Sequence, residues 1–504
     1  MSELARQSVS AAKWGLISSV GKFALQLLVN IAIARLLGPE AYGLFALATI
    51  GLLVATFMSE VGLGWSLMQK PQIDERVIRF VFTWQCLSGL AGLLLMILGA
   101  GLMGEWLRDP RVAEVMRWLG LCCLLNGMAA TATNLLRREL RFKALAKIQL
   151  LSYVLAYGLV GLPLAAWGQG VWALVAAWVL QAALGLLLSY RARPHALRPL
   201  LRIERPREYL DVGATVLLTN LCNWALTNLD RLLLGRLAGA QSTGLYAVGY
   251  NLATVPNGLL VSALQPAFLA TGARLQDDRP RMARGYLEVQ SFIWIVLAPL
   301  FALLALSGPQ IIAVLYGQRW VESGPVFSAL ALAMPAYLAC ALSTPVLWNT
   351  GRKWLEVGLQ LPLLALAVPA LLWACGRGVA WVALVAAAVF WLRYALMLLP
   401  AARALALGAA ALGQLAWRTL AMLLAVLLPA VAVQQALAPW LQGLPWLWGG
   451  AQLATGLLAW ALLLLVWPRL LGTPALSLLQ RFMPKASAFG QAWAARAGLG
   501  AKEV

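Results

Sequence analysis

Apolar runs of membrane-spanning length follow one another through almost the whole chain of 504 residues. A helix needs about 20 mostly apolar residues to cross a bilayer, and this rule predicts about fourteen spans. They are expected near residues 11–34, 43–66, 78–102, 115–135, 147–167, 170–190, 209–230, 244–268, 288–307, 325–349, 353–374, 378–400, 415–434 and 446–467. Hydrophobic residues make up 62% of the chain and charged residues 12%, which indicates an integral membrane protein and excludes a soluble domain.

Basic residues are concentrated in alternate loops between the predicted spans. Roughly 29 of the 39 Lys and Arg, with Arg393 counted among them, fall on one side and about 8 on the other, and the positive side is cytoplasmic. Both termini are therefore expected inside, and no small-residue cleavage site follows the first span. The net charge of +20 reflects these loops, whereas a nucleic-acid binder would cluster its basic residues on one folded face.

Cysteine and histidine usage argues against several kinds of site. The six cysteines lie within or at the ends of apolar runs, so neither a disulfide framework nor a metal site is predicted. The single histidine, His195, lies in a basic loop, which leaves a histidine-based zinc or triad chemistry unsupported. Without a nucleotide-binding motif, we expect energy from an ion gradient or from downstream consumption of the product, and not from ATP. We also expect no cofactor and no catalytic residues.

A short motif occurs twice, about 201 residues apart, as expected for an internal duplication. Residues 34–46 read ARLLGPEAYGLFA and residues 235–247 read GRLAGAQSTGLYA. Arg35, Gly38 and Gly43 of the first copy match Arg, Gly and Gly at the same offsets in the second. Both copies fall on the outer side after the first span of a six-span set, which predicts two halves related by an axis along the membrane normal. Chance similarity between two Gly- and Leu-rich loops is the alternative.

These patterns predict an all-α polytopic membrane protein with about 14 transmembrane helices. Two parallel six-helix lobes would surround a central cavity, and two extra helices would follow at the C-terminus. The predicted domains are an N-lobe at residues 1–208, a C-lobe at 209–402, the extra spans at 403–467 and a cytoplasmic tail at 468–504.

Polar side chains lie within two of the predicted spans. Three in span 1 are spaced by four residues and share a helical face, and the repeat offset carries them to three positions in span 7. With one further lysine near the inner end of span 1, the candidate cavity residues are Lys13, Lys22, Gln26, Asn30, Asn223, Thr227 and Arg231. A charge at bilayer depth costs at least about 2.5–3.5 kcal/mol, which favours a hydrophilic cavity wall. Hydrogen bonds between helices, with Lys22 reaching to an interface, are the alternative.

Three carboxylates are candidates for a protonatable coupling group, because a buried carboxyl group can exchange a proton near neutral pH. They are Glu60, Glu288 and Asp230. A wetted helix end is the alternative for Glu60 and Glu288, and a local ion pair or a solvated helix end is the alternative for Asp230. The outer-loop motif adds Arg35, Gly38, Glu40 and Gly43, of which Glu40 is interpreted as a structural residue beside a turn.

Residues 35–43, RLLGPEAYG, follow a polar-faced first span and resemble the polysaccharide transporter (Wzx-type) flippases. These belong to the multidrug/oligosaccharidyl-lipid/polysaccharide exporter superfamily. Residues 62–72, which begin GLG, and residues 136–143, LRRELRFK, are similar to its colanic-acid and teichuronic-acid exporter branch. The resemblance is dense in the first half of the chain and looser in the second.

The resemblance implies a flippase in the bacterial inner membrane that moves undecaprenyl-pyrophosphate-linked oligosaccharide to the outer leaflet by alternating access. Capsule, exopolysaccharide or lipopolysaccharide synthesis would use the product, and the polymerase and export machinery would be further partners beside membrane lipids. Cationic side chains in a cavity would replace the hydration of the pyrophosphate, with Lys22 the first candidate and Arg231 the second.

Two other functions remain open. A multidrug or toxin exporter of the same superfamily would favour acidic cavity residues, whereas the clearest deep charge in the sequence is Lys22. A membrane glycan polymerase or ligase would need a large outer loop with catalytic residues, and no outer loop is expected to exceed about 15–20 residues.

Overall fold

The computed structural model describes residues 21, 23–59, 67, 73–202, 214–274, 278–440 and 444–466. Within these residues the chain is helical and contains no strand. The same part of the chain holds ten helices long and apolar enough to cross a membrane. Two shorter apolar stretches, Phe23–Leu37 and Pro39–Ala55, are also helical. The expected all-α, multi-pass architecture is therefore confirmed, and the count of about fourteen spans stays a prediction.

The first of two compact units takes its described residues from Met1–Asn220 and Thr227–Ala247. Its first helices are α1 (Phe23–Leu37), α2 (Pro39–Ser59), α3 (Glu75–Leu107), α4 (Pro110–Arg138), α5 (Phe142–Ala166) and α6 (Val171–Ala192). A π-helical turn interrupts α5 at Tyr157–Gly161. Parts of α7 (214–238) and α8 (240–274), which are separated at Gly239, complete the unit.

The second unit takes its described residues from Leu221–Leu226 and Val248–Val504. Beyond its parts of α7 and α8, it contains α9 (Arg279–Leu306), α10 (Gly308–Tyr316), α11 (Ser323–Asn349), α12 (Lys353–Cys375), α13 (Val379–Ala404), α14 (Ala409–Leu437) and α15 (Pro445–Val466). The predicted boundary after residue 208 and the predicted tail at 468–504 lie outside the described residues, so the predicted domains stay predictions.

Local sequence signals explain how α3 turns into α4. Asp74 caps the start of α3 by accepting a hydrogen bond from the Val77 backbone nitrogen at 2.8 Å. Arg108 ends the helix in the left-handed conformation, and Asp109 then caps α4, whose first residue is Pro110. A side-chain acceptor before a helix and proline at its first position both favour helix initiation. Two residues therefore suffice to join two spans as a tight hairpin.

Small residues let α3 and α4 approach closely. A Cβ atom added to Gly127 would lie 2.6 Å from the Gln85 carbonyl oxygen, and one added to Gly89 would lie 2.8 Å from the Cys123 carbonyl oxygen. The Thr131 hydroxyl also donates a 2.5 Å hydrogen bond to the Gln85 side chain, which is buried. Glycine contacts and buried polar bonds of this kind are typical of helix association in membranes.

The core of the second unit is built around α11, most of which is buried. Trp294 of α9, Leu338 of α11 and Tyr394 of α13 belong to one buried cluster. A π-helical segment interrupts α9 at Phe292–Leu297, and Trp460 of α15 donates a 3.0 Å hydrogen bond to the carbonyl of Val296 in that segment. The shifted hydrogen bonding of this π-helical segment thus coincides with a point where α15 is attached.

Candidate functional site

Each copy of the repeated motif forms a break between two helices. Gly38 has φ 79° between α1 and α2, and Gly239 has φ 80° between α7 and α8. Glycine adopts this left-handed region without the steric cost that other residues meet. The two glycines that correspond in the repeat therefore share one backbone conformation. The residues around them are helical, so the expected outer loop is in fact a one-residue bend.

The two motif copies contact each other within the first unit. A Cβ atom added to Gly43 would fall on the carbonyl oxygen of Ala240, and one added to Gly244 would fall on the carbonyl oxygen of Pro39. Gly43 corresponds to Gly244 and Pro39 corresponds to Ala240 at the offset of the repeat, so the contact is reciprocal. Glycine is needed at both crossing positions, and the reciprocity supports the interpretation as an internal duplication.

Side chains at the end of the first unit that the sequence predicts to be outer connect the motif to the α3–α4 hairpin. Arg111 contacts Glu40 at 2.8 Å and Asp109 at 2.9 Å. Arg236, in the second copy, donates a hydrogen bond to the Trp106 carbonyl oxygen, whereas Arg35 is exposed. The ion pairs of Arg111 are exposed and contribute little to stability. Glu40 is thus joined to the α3–α4 hairpin, and its interpretation as a structural residue stays a prediction.

The polar face of α1 is partly engaged in packing. Asn30 donates to the Gln26 carbonyl at 3.0 Å, and the Tyr42 hydroxyl of α2 donates to the Asn30 amide oxygen at 2.6 Å. The second bond joins two helices, which is the alternative left open for this face. Lys13, Lys22 and Glu60 lie outside the described residues, and their predicted roles stay predictions.

Asp230 and Arg231 of α7 are both held by neighbouring polar groups. Asp230 is buried and accepts hydrogen bonds from the Tyr246 hydroxyl at 2.5 Å and from the Arg231 backbone nitrogen at 2.7 Å. The guanidinium of Arg231 donates to the Thr227 carbonyl at 3.1 Å and to Asn228 at 2.6 Å. Asp230 is therefore not at a solvated helix end, because the start of α8 covers it. Glu288, the other described carboxylate candidate, is half-buried in α9.

A buried charged network in the second unit was not predicted. Glu356 of α12 is 0% exposed. Its carboxylate accepts hydrogen bonds from Trp348 at 2.7 Å, from Thr344 at 3.1 Å and from Gln360, one turn along α12, at 3.1 Å. Three donors from two helices thus surround one buried carboxylate. Charged residues within helices of membrane-spanning length are rare and usually functional.

The network continues through an amide to a buried arginine. Gln360 donates to the amide oxygen of Asn223 at 3.2 Å, and the Arg393 guanidinium donates to the same oxygen. Arg393 is 8% exposed. Within the described chain, Nε of Arg393 and Oε1 of Gln360 have no hydrogen-bond partner. A buried donor and a buried acceptor are thus left to be satisfied by water or by a ligand group.

Sequence reasoning found only Asn223 of this network. Arg393 had been grouped with the inner loops, which is wrong, because α13 runs from Val379 to Ala404 and carries Arg393 inside it. Glu356 lies one turn inside α12 and was not among the predicted residues. Two features of the sequence indicate this network. Arg393 falls within the predicted span at 378–400, and Glu356 and Gln360 are separated by one helical turn.

Comparison with protein families settles membership. A family model described as polysaccharide biosynthesis protein matches residues 32–325, more than half of the chain. The chain belongs to the polysaccharide biosynthesis protein family. The matched range contains both motif copies and Asn223, while Glu356 and Arg393 lie beyond it. The resemblance based on residues 35–43 is thereby confirmed.

Two curated relatives of this family member resemble it at low identity. It is 24% identical over 323 residues to the lipopolysaccharide biosynthesis protein WzxC of Escherichia coli K12, covering 63% of this chain and 65% of that one. It is 24% identical over 343 residues to the succinoglycan biosynthesis transport protein ExoT of Rhizobium meliloti, covering 67% and 68%. The chain thus spans about two thirds of the length of ExoT and slightly less than two thirds of the length of WzxC.

A solved structure shares the fold of this family member. The lipid II flippase MurJ in an inward closed conformation superposes with a TM-score of 0.68 at 13% identity, covering 90% of this chain and 98% of that one. At this identity the likeness concerns the fold alone. It confirms the all-helical, multi-pass architecture and leaves the function to other arguments.

Proposed function

We propose that the protein is a flippase that moves undecaprenyl-pyrophosphate-linked oligosaccharide repeat units from the inner to the outer leaflet of the bacterial inner membrane. The product would serve capsule, exopolysaccharide or lipopolysaccharide synthesis. The observation that carries the proposal is the family match over residues 32–325 in a chain whose described part holds ten helices of spanning length. ExoT, named as a transport protein of succinoglycan biosynthesis, agrees with a transport role.

The buried cations support an anionic cargo. A pyrophosphate loses its hydration when it enters a membrane protein, and guanidinium groups compensate by charge-assisted, bidentate hydrogen bonds. Arg393 of the second unit is buried, and Arg231 of the first unit is half-buried. Lys22 stays the first predicted contact of the pyrophosphate, and Arg231 stays the second. The donor at Nε of Arg393 and the acceptor at Oε1 of Gln360 suit a phosphate oxygen and a sugar hydroxyl.

The orientation and the mode of movement belong to the same proposal. The basic residues favour cytoplasmic termini, and the repeat favours two six-helix lobes around a cavity that opens to each side in turn. Asp230, Glu288 and Glu60 stay candidates for coupling to an ion gradient, and the polysaccharide polymerase and export machinery stay proposed partners. We propose no role for nucleic acid.

The described outer connections argue against an enzyme. Of those that the structure describes completely on the predicted outer side, the longest joins α9 to α11 and contains α10 and the buried Trp320. Such a connection is too short and too closely packed to hold a catalytic domain. We therefore favour a transporter over a glycan polymerase or ligase.

A multidrug or toxin exporter is the second candidate, and the buried carboxylates Glu356 and Asp230 are the observation in its favour. An exporter of cationic drugs needs carboxylates that the drug can reach. Glu356 already accepts three hydrogen bonds and Asp230 accepts two. Both carboxylates are thus satisfied by the protein itself, which favours the flippase.

Depletion of the protein in its own host tests the proposal. We expect undecaprenyl-linked repeat units to accumulate on the inner leaflet, surface polysaccharide to disappear, and re-expression of the wild-type chain to reverse both effects. Normal surface polysaccharide combined with new sensitivity to cationic drugs would transfer the assignment to the drug exporter.

A further inference from the structure

Residues 193–202, which we call the inner strap, follow α6 and lie along the side of α3. The strap has neither helix nor strand, yet four hydrogen bonds attach it to α3. They join Arg79 Nε to the Arg198 carbonyl at 3.0 Å, Arg79 Nη2 to the Pro199 carbonyl at 3.4 Å, the Leu200 nitrogen to Thr83 Oγ1 at 2.9 Å, and Trp84 Nε1 to the Leu201 carbonyl at 3.3 Å. The strap is therefore a fixed part of the first unit.

Ring contacts hold the start of the strap as well. The ring centroid of His195 lies 5.0 Å from that of Phe82 and 5.4 Å from that of Tyr190. Further along, Leu200 packs against a buried cluster that contains Phe80 and Val81. One side of the strap is thus committed to the protein, and its other side chains are presented in a fixed arrangement.

The depth of the strap follows from the length of α3. With 33 residues, α3 is about 50 Å long, whereas the hydrocarbon core of a bilayer is about 30 Å thick and the headgroups bring it to about 40–45 Å. The ends of α3 must therefore pass through the headgroup layers. The bonds at Arg79, Thr83 and Trp84 lie in the first three turns of α3, at the end that the basic residues predict to be cytoplasmic.

The outward side chains of this region combine apolar and basic groups. Leu197 is 51% exposed and Leu201 is 58% exposed. Arg191, Arg198 and Arg202 are also exposed, and none of the ion pairs found among the described residues involves them. Leucines beside arginines at headgroup depth are the pattern of segments that bind a membrane surface. Transfer of the exposed leucine side chains from water to the membrane would lower their free energy.

We propose that the inner strap, with Arg191, is a docking site for anionic phospholipids of the inner leaflet. The guanidinium groups of Arg191, Arg198 and Arg202 bind the lipid phosphates, while Leu197 and Leu201 enter the boundary between the headgroups and the acyl chains. The bonds to α3 hold this surface in place before a lipid arrives, so little ordering cost accompanies binding. The site anchors the connection that leads from α6 towards α7.

Lipid retention by the full chain tests the proposal. The protein would be reconstituted with phosphatidylglycerol or with phosphatidylcholine alone, and the affinity for phosphatidylglycerol would be measured by native mass spectrometry. Replacing one surface arginine by glutamine should weaken binding about fivefold, and the triple variant R191Q/R198Q/R202Q should weaken it about a hundredfold. The matched control R108Q/R117Q/R319Q removes three exposed arginines of the predicted outer side and should bind like the wild type.

A second variant and a competitor complete the design. L197S/L201S keeps every charge and should also lower the affinity, while the melting temperature of both strap variants in phosphatidylcholine should equal that of the wild type. Equal retention by the triple variant and the wild type would overturn the proposal, as would an equal loss in the outer control. Displacement by undecaprenyl pyrophosphate at concentrations where phosphatidylglycerol has no effect would also overturn it, in favour of a substrate-docking role.

Discussion

Removing the Glu356 carboxylate should destabilise the second unit strongly. Glu356→Ala would leave Trp348 Nε1, the Thr344 hydroxyl and one proton of the Gln360 amide without an acceptor. A buried donor that loses its acceptor costs about 1–3 kcal/mol. Because these three losses share one network they are not additive, and we expect about 3–5 kcal/mol in total, the range for breaking a buried charged group from its partners.

The isosteric variant separates the hydrogen bonds from the charge. Glu356→Gln keeps one acceptor oxygen and the shape of the side chain, so it should cost only about 1–2 kcal/mol. Unfolding would be followed by circular dichroism during titration with sodium dodecyl sulfate in mixed micelles. The control is Glu322→Ala, an exposed carboxylate of the same unit, which should stay within about 0.5 kcal/mol of the wild type.

Two results would refute this reasoning. If Glu356→Ala is no more costly than Glu322→Ala, the three hydrogen bonds contribute nothing to stability. If Glu356→Gln is as costly as Glu356→Ala, the one acceptor oxygen that glutamine keeps contributes nothing to the stability of the network.

Four further predictions concern other parts of the chain. Gly43→Ala and Gly244→Ala should each lower the free energy of unfolding by about 1–3 kcal/mol, because they overpack the reciprocal crossing. Gly99→Ala, whose added Cβ atom meets open space, should leave the stability unchanged. Equal melting temperatures for all three variants would contradict the crossing. Lys22→Ala should impair polysaccharide export while Lys22→Arg largely retains it, and equal export by both would assign Lys22 a merely interfacial role. Purified protein in liposomes should move its lipid-linked substrate without ATP, and strict dependence on ATP would contradict the proposed energy source, an ion gradient or downstream consumption. Burial lowers the pKa of His195 in the folded protein. The contribution of neutral His195 to stability is therefore present above the unfolded pKa of about 6.5 and is lost as the pH falls through the folded pKa. His195→Phe should flatten the acid side of a profile of melting temperature against pH, and an unchanged profile would contradict this role of His195.

The sequence alone determined the class of the protein and the symmetry of its motif. Apolar runs of spanning length leave a chain few folds other than a helical bundle in a membrane, because unpaired backbone groups are too costly in lipid. The glycines at 38 and 239 could be matched from sequence since a left-handed bend and a close helix crossing both favour glycine. Residues 35–43 were sufficient to suggest the family, which the match over residues 32–325 then confirmed.

Only the tertiary structure decided which polar groups meet. Asn223 was predicted as one member of a polar stripe, but its amide oxygen joins Gln360 and Arg393, which are more than 130 positions away along the chain. Asp230 was assigned to a helix end, yet Tyr246 of the next helix covers it. Helical periodicity states which side chains share a face of one helix, but carries no information on the neighbouring helix that this face meets. The buried network of Glu356 and Arg393 therefore became visible only after the helices were packed.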